Sequence, residues 1–131
     1  MRGINYWAVL IAAFAAFVLS TAWYIGFAKQ RAQLSPAAAA DMRRPQPAKM
    51  VLEIARNIVL AFVLAYFISR LGTADWLGAI KFALLAWLGF PFLLLTGSVM
   101  WENVPLKLAA IHAGDWLLKL VVMSVILCRW R

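Results

Sequence analysis

The sequence predicts an all-α protein, a four-helix transmembrane bundle with short loops. Four long apolar stretches cover residues 5–28, 50–69, 76–101 and 106–128, and 66% of the chain is hydrophobic. An α-helix needs about 20 apolar residues to cross about 30 Å of hydrocarbon, and each stretch is near or above that length. A soluble fold could not cover this apolar surface with only 14% charged residues. The chain is therefore predicted to be a multi-pass membrane protein.

The four stretches and their connectors use nearly all of the 131 residues, which predicts one transmembrane domain over residues 1–131. Residues 29–49 form the one long loop, in which three prolines interrupt any long helix. Pro36 could start a short helix through the alanines to Asp41. Such a loop is either an interaction site or a solvated connector in contact with lipid.

The first stretch has aromatic residues near both ends and small residues between them. Trp7 and Trp23 lie about 24 Å apart along a helix, which fits the two headgroup boundaries. The apolar run is longer than the roughly 7–15 residues of the apolar region of a signal peptide and is interpreted as a retained anchor. A ridge of small residues recurs every fourth position, at Ala8, Ala12, Ala16 and Ser20. This ridge either packs a second helix, with a homodimer as one outcome, or simply reflects how common alanine is in spans.

The third stretch contains Pro91, which removes a backbone hydrogen bond and predicts a kinked helix. The kink is either purely structural or a gating hinge. The last stretch ends at Cys128, the only cysteine, which rules out an internal disulfide and a cysteine-based zinc site.

The formal net charge of +8 does not indicate nucleic-acid binding, because the basic residues are spread over tails and loops without a basic helix face or motif. Contact with anionic lipid headgroups explains them more simply. Four spans place both termini and the turn at Gly72 on one side, and the long loop and the turn at Asn103 on the other. The basic residues on the loop side slightly outnumber those on the terminal side. The loop side has Lys29, Arg31, Arg43, Arg44, Lys49 and Lys107, and the terminal side has Arg2, Arg70, Arg129 and Arg131, with Lys81 one helical turn inside. This bias predicts a cytoplasmic loop and external termini.

Ionisable residues within the spans are the main functional candidates, because charge in the hydrocarbon is costly. His112, Asp115 and Lys119 fall within about 60° of one another on one face of the last stretch. Asp115 lies about ten residues past Pro105, so about 15 Å deep. A carboxylate at that depth must face the bundle interior or water.

The second stretch carries Glu53, Arg56 and Asn57 on one face, and it runs parallel to the last stretch. Arg56 and His112 each lie about six residues into their stretches, so their depths match. We therefore predict one shared polar cluster, in which Arg56 pairs with Asp115 or with Glu53. Alternatively, Lys119 extends toward the far headgroups and leaves Asp115 more dependent on Arg56.

Two interpretations of this cluster remain open. In the first, the charges form a packing network that fixes helix register in a non-enzymatic membrane protein. In the second, His112 and Asp115 line a polar pathway of a small transporter or channel subunit that moves protons, a cation or a small polar solute. No enzyme chemistry, metal site or cofactor is expected, since one histidine and one cysteine offer neither a triad nor a ligand set. The bilayer is the only partner that the sequence identifies, and any small-molecule ligand is unknown.

Two segments carry a resemblance to a known family. They are the run from Ile4 to Trp23 and the run from Gly97 to Trp130, which holds Trp101-Glu102, Pro105-Leu106-Lys107-Leu108 and Ile111-His112-Ala113-Gly114-Asp115-Trp116. The chain resembles the bacterial membrane proteins called domain of unknown function 1761. The resemblance implies four membrane helices in a bacterial inner membrane and no activity, substrate or catalytic residue. Ser20-Thr21-Ala22-Trp23-Tyr24 departs from a Gly-x-x-Trp-Tyr pattern that is frequent in the family, and the loop is more basic and richer in proline.

Overall fold

A computed structural model describes residues 4–43, 47–72 and 75–130 of the chain. These residues form helices and connecting turns, without a strand among them, so the all-α prediction is confirmed. Four helical spans are long and apolar enough to cross a membrane: Tyr6–Gly26, Pro47–Leu71, Trp76–Glu102 and Leu106–Arg129. Arg2, Arg44 and Arg131, which enter the predicted charge bias, lie outside the described residues.

Helix α1 covers Tyr6–Gly26 and begins at Asn5, whose side chain accepts hydrogen bonds from the backbone N–H groups of Trp7 and Ala8. An asparagine at this position satisfies amides that would otherwise lack partners. The Asn5 amide also donates to the Trp130 carbonyl over 3.0 Å. This bond ties the start of the first span to the end of the last one, as expected if both lie on the same side of the bundle.

The connector predicted as a loop at residues 29–49 contains two short helices, α2 (Ala28–Leu34) and α3 (Pro36–Arg43). Alanine, glutamine, lysine and arginine dominate α2, and all four have high helix propensity. Pro36 opens α3, because the missing proline N–H has no partner in a first turn in any case. The same reason lets helix α4 begin at Pro47, three residues before the predicted start, and it runs to Leu71.

The third span is divided into α5 (Trp76–Trp87), a π-helical segment (Leu88–Phe92) and α6 (Leu93–Glu102). Asp75 caps α5 by accepting from the Gly78 N–H over 3.0 Å. Pro91 lies inside the π-helical segment and is buried. Because proline lacks an N–H, the regular bonding pattern is interrupted there, and the chain accommodates an extra residue in that turn. The irregularity thus falls where the sequence predicts it, while the kink itself stays a prediction. The span ends at Asn103, whose left-handed backbone (φ 56°) closes α6.

Helix α7 (Leu106–Arg129) is the centre of the bundle and packs against α1, α4, α5 and α6. It is accordingly the most buried of the four spans, and the third span is the least buried. On α1, all four members of the small-residue ridge are buried inside the chain: Ala8, Ala12, Ala16 and Ser20. Since α1 packs against α4 and α7, the ridge serves contacts within one chain. The ridge is therefore covered by the chain itself and is not exposed to a second copy, while the homodimer stays a prediction.

Two tryptophans fix the neighbours of α7 through its backbone. The Trp23 indole of α1 donates to the Ile111 carbonyl, and the Trp87 indole of α5 donates to the Ala113 carbonyl, each over 2.9 Å. Trp23 also lies against Gly114, where an added Cβ would overlap the indole ring. A glycine is therefore required at this point, because only a residue without a side chain leaves room for the ring.

We predict that Gly114→Ala lowers the melting temperature of the protein in detergent, since it forces Trp23 off its site at a cost of about 1–3 kcal/mol. Gly97→Ala is the matched control, because an added Cβ on α6 meets nothing within 4 Å. Adding Trp23→Leu to Gly114→Ala should recover part of the loss by relieving the clash. Equal melting temperatures for the two single variants would contradict this account of the α1–α7 contact.

Candidate intramembrane polar site

Asp115 lies at the centre of a polar cluster between α1 and α7 and is only 3% exposed. One carboxylate oxygen accepts from the Ser20 hydroxyl over 2.6 Å. The other lies 3.2 Å from the Lys119 ammonium and 3.3 Å from the Tyr24 hydroxyl. The charge is therefore neutralised one helical turn away on α7 and hydrogen-bonded from α1, which meets the two conditions for a charge in a low-dielectric interior.

Lys119 is as buried as its partner, at 3% exposure. Its ammonium lies 4.2 Å from the centre of the Trp116 ring, so an aromatic face supplements the carboxylate. The alternative in which Lys119 extends to the far headgroups is wrong, because a carboxylate and an aromatic face within the same helix stabilise its charge where it is.

Tyr24 links Asp115 to His112. Its hydroxyl lies 2.7 Å from His112 Nδ1 and 3.3 Å from the Asp115 carboxylate. A phenol has one proton, so two arrangements are available. Either Tyr24 donates to His112, or His112 donates to Tyr24 while Tyr24 donates to Asp115. The two arrangements differ in the histidine tautomer. The three side chains therefore form a hydrogen-bonded series in which one proton can change position.

Helix α2 adds a cation next to the Tyr24 ring of this hydrogen-bonded series. The Arg31 guanidinium lies 4.3 Å from the centre of the Tyr24 ring, and its Nε atom is buried without a hydrogen-bond partner. The contact joins the first segment of the connector to the polar cluster.

A half-open cavity of about 670 Å³ lies beside the cluster, between α1, α4 and α7. Ser20, Thr21 and Tyr24 line it from α1, Glu53 and Arg56 from α4, and His112, Asp115 and Lys119 from α7. Apolar walls come from Phe17, Ile25, Met50 and Trp116. The volume falls within the range of about 300–1,000 Å³ that is usual for sites of small molecules.

Five of the six residues predicted as a polar cluster border this cavity: Glu53, Arg56, His112, Asp115 and Lys119. Arg56 pairs with Glu53 over 2.7 Å, which was one of the two predicted pairings, and the Arg56 side chain is 65% exposed. Pairing of Arg56 with Asp115 is wrong, because Lys119 already occupies that position. Asn57 is 2% exposed and does not line the cavity. One residue turns a helix by about 100°, which carries Asn57 from the face of Arg56 into the helix interface.

Sequence reasoning missed the contributions of Tyr24 and Arg31 to the site. Tyr24 follows Trp23 in the aromatic group at the end of the first stretch, and its position four residues after Ser20, on the same helix face, was overlooked. That spacing was a usable signal. Arg31 offered none, because its position depends on α2 forming within a segment that was predicted to be a loop.

Potential metal ligands are few here. Within the described ranges, no group of three or more histidine, cysteine, aspartate and glutamate side chains could hold a metal ion. Asp115 and Glu53 are each paired with a cation instead. The chemistry that the site offers is therefore ion pairing, hydrogen bonding and relocation of a proton.

The fold and the site together define a multi-pass α-helical membrane protein with a buried charge cluster beside a cavity. A family model described as protein of unknown function (DUF1761) matches residues 7–128, so the chain belongs to this family. The match confirms the resemblance found in the sequence. Comparison with curated proteins and with solved structures gave no match.

We predict that Ser20→Ala destabilises the protein more than Thr21→Ala does. Ser20 donates to a buried carboxylate, whereas Thr21 donates over 2.8 Å to the Phe17 carbonyl within its own helix and is exposed. Hydrogen bonds to charged groups contribute about 1.5–3 kcal/mol in water-soluble proteins and often less between membrane helices. The measurement is thermal or chemical unfolding of both variants in one detergent. A loss of stability in Thr21→Ala as large as that in Ser20→Ala would argue against the role of the Ser20–Asp115 bond.

Proposed function

We propose that the chain is a non-enzymatic membrane protein in which the Asp115 cluster holds helix α1 on helix α7 and shapes the cavity beside them. The supporting observation is that the three polar side chains around the Asp115 carboxylate, Ser20, Tyr24 and Lys119, are all donors from the protein itself. A carboxylate satisfied in this way is a packing element that fixes the register of two helices. The outer faces of the spans are apolar and suit the lipid bilayer as partner.

A second candidate function is supported by the cavity. The hydrogen-bonded series of Asp115, Tyr24 and His112 borders the cavity, so a proton could pass between the buried carboxylate and the cavity. This favours a small transporter or channel subunit that moves protons or a polar solute. A cation is the least suitable solute, since both carboxylates of the described lining, Glu53 and Asp115, are already paired with cationic side chains.

Asp115→Asn distinguishes the two functions. If the cluster is structural, the variant loses about 3–5 kcal/mol of stability, because Lys119 keeps a buried charge without its carboxylate. Proton flux in liposomes then equals that of the unaltered protein. Flux that disappears while stability is retained would favour transport instead.

Two further variants sharpen this test. Glu53→Gln is the matched control, because it breaks the other ion pair of the cavity lining, whose arginine is largely exposed, and it should cost less stability than Asp115→Asn. Asp115→Asn combined with Lys119→Met removes both buried charges and should recover much of the stability.

We further propose a bacterial inner-membrane location with the connector of α2 and α3 in the cytoplasm, as the distribution of basic residues favours. The test uses a Cys128→Ala background, which removes the only cysteine. In this background, Ala40→Cys in α3 is expected to react with a membrane-impermeant maleimide only after the cells are opened. Leu71→Cys, at the end of α4, is the counterpart and should react in intact cells. The reverse pattern would invert the orientation.

A further inference from the structure

The lining of the cavity includes a cation, Arg31, that the packing role does not explain. The described lining also holds two carboxylates, Glu53 and Asp115, each with a cationic partner. Lys119 is neutralised by Asp115, and Arg56 is paired with Glu53. Arg31 lies on α2 at the connector end of the cavity, where its guanidinium contacts the Tyr24 ring. An anionic group would be attracted to that end.

The rest of the lining is apolar and accessible from the side. Ile25 and Met50 belong to spanning helices, yet both are exposed, and Phe17 and Trp116 continue the apolar wall deeper into the cavity. In a bilayer, the exposed surface of a span faces lipid. The mouth of the cavity is therefore accessible to a molecule that arrives from the membrane rather than only from water.

We propose that this cavity binds an anionic amphiphile, with a phosphate-type head at Arg31 and Arg56 and an apolar chain along Phe17 and Ile25. Arginine suits such a head, because its planar guanidinium donates to phosphate in two-point contacts. The Arg31 Nε atom is buried without a partner, so a ligand oxygen there would satisfy a donor that the protein leaves unbonded. The cavity would hold the head and the first part of the chain, while the remainder extends into the bilayer through the open side.

The anionic group in the cavity could belong to a membrane phospholipid or be a free anion. The apolar walls favour the phospholipid, and the predicted cytoplasmic position of the connector brings the cavity to the leaflet that carries anionic lipids. This inference goes beyond the packing role of Asp115. Its test is the binding of lipid, which is measured independently of the effect of Asp115→Asn on stability.

The experiment is a titration followed by native mass spectrometry of the full chain in a nonionic detergent. The probes are dioleoyl phosphatidylglycerol, which is anionic, and dioleoyl phosphatidylcholine, which is zwitterionic. We expect one tightly held phosphatidylglycerol per chain, with affinity about fivefold lower in Arg31→Gln and in Arg56→Gln, the loss expected for one basic residue near anionic lipid. Arg70→Gln is the matched control, because it removes the same charge at the opposite end of α4, where Arg70 lies over the Tyr66 ring at 5.1 Å.

Three outcomes would overturn the proposal. Equal retention of the two lipids would show that the charge of the head is not recognised. A loss in Arg70→Gln as large as in the cavity variants would show attraction to net charge rather than a site. Calorimetric binding of inorganic phosphate as tight as that of phosphatidylglycerol would remove the role of the apolar chain and assign the cavity to a free anion. Melting temperatures of all three variants test whether they are folded. If Arg31→Gln does not fold, Arg56→Gln, which is at an exposed position, keeps the test valid.

Discussion

The architecture depends on one charge in a place where charge is costly. The Asp115 carboxylate lies in the interior of the bundle, so it must be neutralised and hydrogen-bonded within the chain. Lys119 provides the neutralising charge from the same helix, and Ser20 provides the shortest hydrogen bond from α1. Because the Ser20 bond can form only when α1 and α7 lie in one register, a slip of either helix by a turn would remove that hydrogen bond from the carboxylate. The contact of Ser20 with Asp115 thus selects one arrangement from the many that apolar helices could adopt.

Small residues make that arrangement sterically accessible. Toward the N-terminal side of α1, alanines let the helix approach its neighbours closely, and at the other end Gly114 admits the Trp23 ring. Between these two close contacts lies the polar cluster. Larger side chains such as Phe17 and Tyr24 line the half of α1 that borders the cavity. The same helix therefore serves for packing over one half and for lining a cavity over the other.

The sequence was sufficient for the fold because apolar length is a one-dimensional property. Each span had to be long enough for the hydrocarbon, and the four stretches matched the helices to within a few residues. The ion pairs were harder, since periodicity places residues on a face but not at a distance. Asp115 could reach either Arg56 or Lys119 by its face alone. Which one it meets depends on how α4 and α7 pack, and that packing leaves Arg56 largely exposed. The connector was predicted as a loop because its prolines interrupt any long helix. The short helix from Pro36 was expected, whereas α2 and the start of α4 at Pro47 were not.

The hydroxyl of Tyr24 connects the packing role with any activity of the cavity. It contacts the Asp115 carboxylate on one side and His112, whose imidazole can carry its proton on either nitrogen, on the other. A change in the tautomer or charge of His112 would alter which partner receives the phenolic proton, and so would alter the hydrogen bonding of Asp115. An anion bound near Arg31, which lies over the Tyr24 ring, would act on the same hydroxyl. Binding of an anion in the cavity would therefore be coupled to the packing of α1 on α7 through one side chain, since both bear on the Asp115 carboxylate.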